Sequence, residues 1–297
     1  MTDTIVRDLL IVGAGPAGIA CALQAGRDGW SLLVIGDEPV GGLVRAAHRL
    51  DNLPGFPSGI GGEQFADLLQ QQAQRHNIEI LRDTVIACRQ ENDGAFRATT
   101  ENGATIAARA LVLAVGARPC EYSLAANDGR YHRDVRSLPF DLSDRHVAVV
   151  GGGEAALDSS LSVAARRGTA EVFHRGAALR CPPSFIAEAN GAGIAIHLNH
   201  ILSQVRFVDG RLVLAWQNEN GERISTADYL LVCIGRTPKV ELLTSLKLNL
   251  DASIVTPLPG LFLAGDVIRG RDRYVATALG DGQRAALAAG RWLCEME

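Results

Sequence analysis

Gly13, Gly15 and Gly18 stand in G-x-G-x-x-G order directly after the apolar run Leu9-Leu10-Ile11-Val12. That spacing suits phosphate binding. A buried strand ends in a tight turn at Gly13, Gly15 lets backbone approach a pyrophosphate, and Gly18 lets the following helix pack on the strand. The helix, expected over Ile19 to Gly26, offers free N–H groups and a positive dipole end to the phosphates. A second copy begins about 140 residues later: Val147-Ala148-Val149-Val150, then Gly151-Gly152-Gly153 and a helix from Glu154 to about Arg167. Two dinucleotide turns in one chain predict electron transfer between two cofactors.

Strands must hold these turns. Ser31 to Ile35 reads as the second strand, about 20 residues after the first turn, where an acid bonds a ribose hydroxyl. Gly36 follows it, so the acid is Asp37 or Glu38. A long loop carries Gly41-Gly42-Leu43 and Asp51-Asn52-Leu53-Pro54-Gly55-Phe56-Pro57, and Phe65, Leu68 and Leu69 mark a helix over Glu63 to Arg75. Ile78–Leu81, Thr84–Cys88, Phe96–Thr99 and Thr105–Ala107 read as a small antiparallel excursion, and Leu111 to Gly116 as a separate buried strand. Ala117 to Asp144 is polar and poorly periodic and reads as the crossing into a second domain. There, Glu171–His174, Ile194–Leu198, Val205–Val208, Leu212–Trp216 and Tyr229–Ile234 read as strands, with a helix opened by Pro182-Pro183 and a hairpin turn at Asn220-Gly221. Leu261 to Asp266 is a last strand and turn, and Gly280 to Glu295 a terminal helix. The expected fold is α/β, with two Rossmann-like (three-layer ββα) dinucleotide-binding domains. The second, 118–236, is inserted into the first, 1–117 and 237–297.

Composition narrows the function. The 297 residues are 47% hydrophobic and 21% charged, as in a globular protein with sizeable cores. A net charge of -4 gives no reason to expect nucleic acid or anionic lipid as a partner. No apolar run is long enough to span a membrane, and Met1 to Asp8 does not read as a signal peptide, so the expected location is cytoplasmic. Cys21, Cys88, Cys120, Cys181, Cys233 and Cys294 include no C-x-x-C pair. With the seven histidines they show no metal-ligand spacing, so no metal is expected.

Taken in order, the first glycine turn, Gly41-Gly42, Asn52-x-Pro54-Gly55, Gly151-Gly152-Gly153, His174-Arg175, Gly235-Arg236-Thr237-Pro238 and Gly265-Asp266 resemble the low-molecular-weight thioredoxin reductase family of flavoproteins. The resemblance covers nearly the whole chain. It implies an FAD domain, an inserted NADPH domain and a homodimer. It also implies that Gly13, Gly15, Pro16, Ala17 and Gly18 hold the FAD pyrophosphate, with Asp37 or Glu38 on a ribose. Gly41, Gly42, Leu43 and Val85 join the FAD site, and Asn52 sits beside the isoalloxazine. Leu43 stands where the family usually has Gln. Gly265 and Asp266 face the ribityl chain, Asp266 alternatively serving as a helix N-cap. Arg273, Tyr274 and Val275 face the pyrimidine edge, where the family prefers Arg-Gln-Ala, and the helix expected near Gly280 adds its N-terminus. For NADP, the resemblance implies Gly151, Gly152, Gly153, Glu154 and Ala155 at the pyrophosphate, with Ile234, Gly235 and Arg236. His174, Arg175 and Arg180 lie where a 2′-phosphate binds, and Gly176 replaces the family's second consecutive arginine.

The largest departure precedes the second glycine turn. Disulfide-reducing relatives carry C-x-x-C there; this chain has Gly129 to Pro139 without a cysteine. No catalytic side chain is therefore assigned. Electrons are expected to pass from flavin to another acceptor, either a small molecule or a small carrier such as ferredoxin or flavodoxin. The basic residues Arg130, Arg133 and Arg136 would dock an acidic carrier, or form a solvated linker. Relatives that reduce such carriers have a C-terminal extension over the flavin, which the ending Cys294-Glu295-Met296-Glu297 does not supply. Two other readings stay open. One is disulfide chemistry with displaced cysteines, Cys120 and Cys181 pairing across the domains, or with an electron source other than NADPH. The other is a flavin-binding regulatory or sensory module.

Overall fold

A computed structural model of the chain describes residues 5–123, 129–249 and 253–296; part of the expected crossing, 124–128, lies outside the described residues. In chain order the elements begin β1 (Ile5–Val12), α1 (Pro16–Arg27), β2 (Leu32–Gly36), α2 (Gly62–Arg75), β3 (Ile80–Arg82), β4 (Val85–Gln90), β5 (Phe96–Thr100), β6 (Thr105–Leu113) and β7 (Ala117–Pro119). Next come β8 (Tyr131–His132), β9 (His146–Gly151), α3 (Glu154–Ala165), β10 (Thr169–Phe173), α4 (Pro183–Gly191), β11 (Ala195–His197), β12 (Ile201–Val208), β13 (Arg211–Asn218), β14 (Gly221–Ala227) and β15 (Tyr229–Cys233). The chain closes with β16 (Arg236–Pro238), α5 (Glu241–Ser245), β17 (Leu261–Leu263) and α6 (Val275–Glu295). The fold is mixed α/β with parallel-strand sheets. It divides into a first unit, Met1–Arg45, Asp51–Arg118 and Pro238–Glu297, and a second, Ala46–Leu50 and Pro119–Thr237.

In the first unit the strand order is β3-β2-β1-β6-β5-β4, with β17 on β6. β1 runs parallel to β2 and β6, with Ile11 beside Val34 and Val112. Strands buried on both faces read as unbroken apolar runs, and every residue of β2 is buried. The expected strands Thr105–Ala107 and Leu111–Gly116 are one strand, β6. Its first half alternates in burial, paired antiparallel with β5; its second half is wholly buried between β1 and β17. The change of period at the small buried residues Ala108 and Ala110 hides this continuity in the sequence. Two helix ends also differ from expectation. α1 runs through Gly26 to Arg27. α6 starts at Val275, not Gly280, because Thr277 Oγ1 accepts the Tyr274 N–H at 3.2 Å and closes the first turn.

The second unit has a parallel sheet, β11-β10-β9-β15-β8, and an antiparallel meander, β12-β13-β14. Its cores differ in chemistry. Aliphatic Val149, Leu157, Val163, Val172 and Leu231 form one. The other contains Trp216 and Phe173, whose rings stack at 3.7 Å between centroids, with His197 stacked on Phe173 at 4.7 Å. The Trp216 indole N–H donates to Ser225 Oγ at 2.8 Å.

This unit also holds three histidines whose pKa burial pushes down: His146, His174 and His197. All favour the neutral ring in the fold. The unfolded chain gains protons as pH falls through the ordinary histidine value of about 6.5, so the fold binds fewer protons than the unfolded chain there. The stability they contribute is present above that pH and lost below it. Asp158, pushed up by burial, acts in the opposite sense. Calorimetry should record a lower unfolding temperature at pH 5.5 than at pH 7.5, with a smaller difference in a His146→Gln, His197→Gln protein. Equal temperatures at both pH values would contradict this account.

Candidate functional site

In the first unit three glycine-containing turns converge on the start of α1. Gly13 has φ 114°, and its N–H donates to the Ile35 carbonyl at 2.7 Å. A Cβ there would lie 2.2 Å from the Ala114 carbonyl oxygen, and one at Gly18 would lie 1.8 Å from the Gly13 oxygen. Gly15 differs: its absent Cβ faces open space, with nothing within 4 Å. α1 begins there with Pro16 and no side chain capping its leading N–H groups. Gly42 lies against this point, its Cβ direction 3.6 Å from Gly15 Cα, and the Gly41 N–H donates to the Ala14 oxygen at 2.9 Å. Gly265 packs close to Ala17, where a Cβ on Gly265 would lie 2.8 Å from Ala17 Cβ. An uncapped helix end, an open cradle at Gly15 and close backbone all round it fit a pyrophosphate.

The other expected FAD residues occupy this same unit. Asp37 is exposed and paired with Lys239 at 3.4 Å, whereas Glu38 is half-buried. Leu43 is half-buried in a 3-10 turn, Asn52 is exposed, and Val85 is buried on the edge strand β4. Asp266 lies inside the 3-10 turn Gly265–Val267, whose N-cap is Ala264, so it is not a helix N-cap. Arg273 is half-buried and its Nε donates to the Arg269 carbonyl at 3.0 Å. Tyr274 is exposed and Val275 opens α6. Arg269 and Asp281, which pair just behind these residues, were not legible as site residues. One signal existed: Asp281 falls on the apolar stripe Ala278, Ala285, Ala289 of α6.

The second turn repeats this plan, with Gly153 nearly as open as Gly15 and one addition at Gly152. Gly151 meets the Cys233 oxygen, its Cβ position 2.5 Å away, and Gly153 opens α3 without a side-chain cap. A Cβ at Gly152, however, would lie 2.2 Å from His174 Nδ1. The space that glycine leaves is filled by the buried His174 ring, and Gly152 also accepts the Arg180 N–H at 2.6 Å. Burial, and then the nearby Arg180 charge, keep His174 below its ordinary pKa. Gly176 flanks the same ring, its Cβ position 2.8 Å from Nε2, so an arginine at 176 has no room unless His174 moves. Arg175 and Arg180 are exposed, Glu154 and Ala155 form the first turn of α3, and Ile234, Gly235 and Arg236 follow β15.

The basic run is engaged by neighbouring acids and rings. Arg133 pairs with Glu121 at 2.5 Å, and Arg136 forks Asp134 at 2.9 and 2.7 Å. Arg130 donates to the Asp228 carbonyl and lies over the Phe207 ring. Burial pushes the Asp134 carboxyl up, but the Arg136 side chain and N–H outweigh it and hold the pKa below its ordinary value. The open reading in which two cysteines pair across the domains does not hold in that form. Cys120 and Cys181 both lie in the second unit and both thiols are free. Cys181 packs against the aliphatic core, where burial pushes its thiol up. Burial likewise pushes Cys88 up to about 12 and Cys233 to about 11, values of inert core thiols.

A family model described as pyridine nucleotide-disulphide oxidoreductase matches residues 7–282. Thioredoxin reductase of Treponema pallidum is 32% identical over 301 residues, covering 96% of this chain and 97% of its own. Ferredoxin–NADP reductase of Ignicoccus hospitalis is 27% identical over 303 residues, covering 97% of this chain and 98% of its own. Among solved structures, thioredoxin reductase of T. acidophilum superposes with a TM-score of 0.89 at 21% identity, covering 98% of this chain and 99% of that one, a likeness of fold.

Proposed function

The chain belongs to the pyridine nucleotide-disulphide oxidoreductase family, and from that premise we propose that its electrons leave directly from the flavin to an acceptor other than a cysteine pair of its own. It is an FAD-dependent NAD(P)H oxidoreductase of the thioredoxin reductase type. FAD supplies the step from a hydride donor to an electron acceptor, and the protein binds, orients and tunes it. The observation that carries the proposal is the stretch before β9. It has no cysteine, and its 3-10 turn Val135–Ser137 is closed by Asp134 accepting the Arg136 N–H at 2.9 Å. A thiolate pair is what exchange with a protein disulfide requires.

In this reading the α1 N-terminus, Gly15 and Gly42 hold the FAD pyrophosphate. Glu38, half-buried where Asp37 is exposed, takes the ribose. Asp266 accepts from the ribityl chain, and Asn52 and Arg273 face the ring system. Arg175 and Arg180 bind the 2′-phosphate of NADPH. The acceptor is a small electron-carrier protein or a small molecule, a reading supported by the likeness to a ferredoxin–NADP reductase. Because Arg133 and Arg136 are already paired with acids, a small-molecule acceptor fits as well as an acidic carrier.

Anaerobic mixing with NADPH should bleach the flavin absorbance, and ferredoxin, flavodoxin or a quinone should then reoxidise it. Arg175→Ala, Arg180→Ala should raise KM for NADPH about tenfold or more, the loss of charge-assisted hydrogen bonds, with KM for NADH unchanged. Rapid reduction of thioredoxin in the same assay would sink the proposal.

A further inference from the structure

We propose that Asp281 is a positioning residue for the flavin site: its buried carboxylate fixes Arg269, and the Arg269 main chain in turn fixes Arg273. This rests on the reading above that places Arg273 at the flavin ring.

Asp281 is 2% exposed, on the second turn of α6. A carboxylate so buried is stable only with a well-aligned cation. Arg269 supplies one as a fork: Nε donates to Oδ2 at 2.9 Å and Nη2 donates to Oδ1. The pairing also raises the Arg269 pKa. Bidentate geometry fixes the guanidinium plane as well as its distance, and so restricts the loop to which Arg269 belongs. The Arg269 carbonyl then accepts Arg273 Nε at 3.0 Å, while the Arg273 N–H donates to the Arg271 carbonyl at 2.9 Å.

The neighbouring residues tie this pair to the phosphate turn. Gly282, next to Asp281, packs so closely on α1 that a Cβ would lie 2.1 Å from the Ala17 oxygen. A Cβ at Gly265 would likewise lie 2.8 Å from Ala17 Cβ. The segment from Gly265 to Arg273 is therefore pinned at its start on α1 and at Arg269 on α6. One helix turn of α6 sets the loop that carries both Asp266 and Arg273. Replacing an ion pair by apolar side chains often leaves stability unchanged. What Asp281 adds beyond stability is the fixed orientation of Arg269.

The test measures the flavin midpoint potential and the FAD dissociation constant of the apoprotein, not turnover. Arg273→Gln should lower the potential, because a cation near the ring favours the reduced cofactor. A tenfold loss of that preference corresponds to about 30 mV for a two-electron couple. Asp281→Asn should lower the potential in the same direction, and the Asp281→Asn, Arg273→Gln protein should fall no further than Arg273→Gln alone. If Arg273→Gln shifts the potential and a folded Asp281→Asn does not, the positioning role is overturned while the placement of Arg273 stands. If Arg273→Gln leaves the potential unchanged, the placement itself fails and the proposal with it. Should Asp281→Asn not fold, Arg269→Met, Asp281→Leu removes both charges together. A wild-type potential in that protein overturns the proposal, and a lowered one supports it.

Discussion

Gly15→Ala and Gly18→Ala should separate cleanly, although both are single methyl additions to one turn. Gly18→Ala should be purified without FAD and with a strongly lowered unfolding temperature. Its Cβ would lie 1.8 Å from the Gly13 carbonyl oxygen, and Gly13 is itself held by Ile35 and blocked by Ala114. No flexible side chain can yield there, so backbone must move, a cost on the order of 3 kcal/mol or more. Gly15→Ala should keep the wild-type unfolding temperature of the apoprotein, because nothing lies within 4 Å of its Cβ direction. With the proposed pyrophosphate site at this cradle, it should nevertheless bind FAD more weakly, the added methyl standing in the open space. Isothermal titration of the two apoproteins with FAD, beside calorimetry, distinguishes the outcomes. Unaltered FAD affinity in Gly15→Ala would mean that the open cradle is not the pyrophosphate site.

Trp216→Ala should have the largest effect in the second unit. The indole is fully buried, stacked on Phe173 and bonded to Ser225. Truncation removes a large ring and leaves a cavity, costing about 3–5 kcal/mol. The damage should reach function through β10, since His174 and Arg175 directly follow Phe173. Every residue assigned to FAD lies in the other unit. The expected protein therefore keeps its flavin absorbance but bleaches slowly with NADPH and unfolds in two calorimetric transitions, the second unit first. Loss of bound FAD on Trp216→Ala, or unchanged bleaching, would show that this division of labour is mistaken.

Lys239 beside Asp37 and the Arg269–Asp281 fork both join residues that no local pattern links. So does the filling of Gly152 by His174. Such pairings arise when distant segments meet, and each depends on side-chain direction and burial that periodicity does not encode. Part of the basic run behaves in the same way: Arg133 reads as charged surface along the chain, yet the fold sets Glu121 against it, whereas Arg136 is paired within the run by Asp134. The course of β6 and the start of α6 escaped for a related reason. Alanines at a change of burial period look like a break, and the first turn of α6 is closed by the Thr277 hydroxyl on the Tyr274 N–H, with no acid or Pro there to mark a helix start.

What the sequence determined by itself was local: two strand–glycine–helix turns, the order of motifs, the α/β class and the missing C-x-x-C. These are legible because an apolar run, a tight turn and a helix start are each specified within a few residues. Only the tertiary structure decided what surrounds each glycine of the two turns. Gly15 and its counterpart Gly153 both face nearly open space at an uncapped helix start, whereas Gly152, which stands where the first turn has Ala14, makes room for the His174 ring just past β10. A glycine in a sequence records only that a side chain is absent; the chain packed around it determines what fills the space.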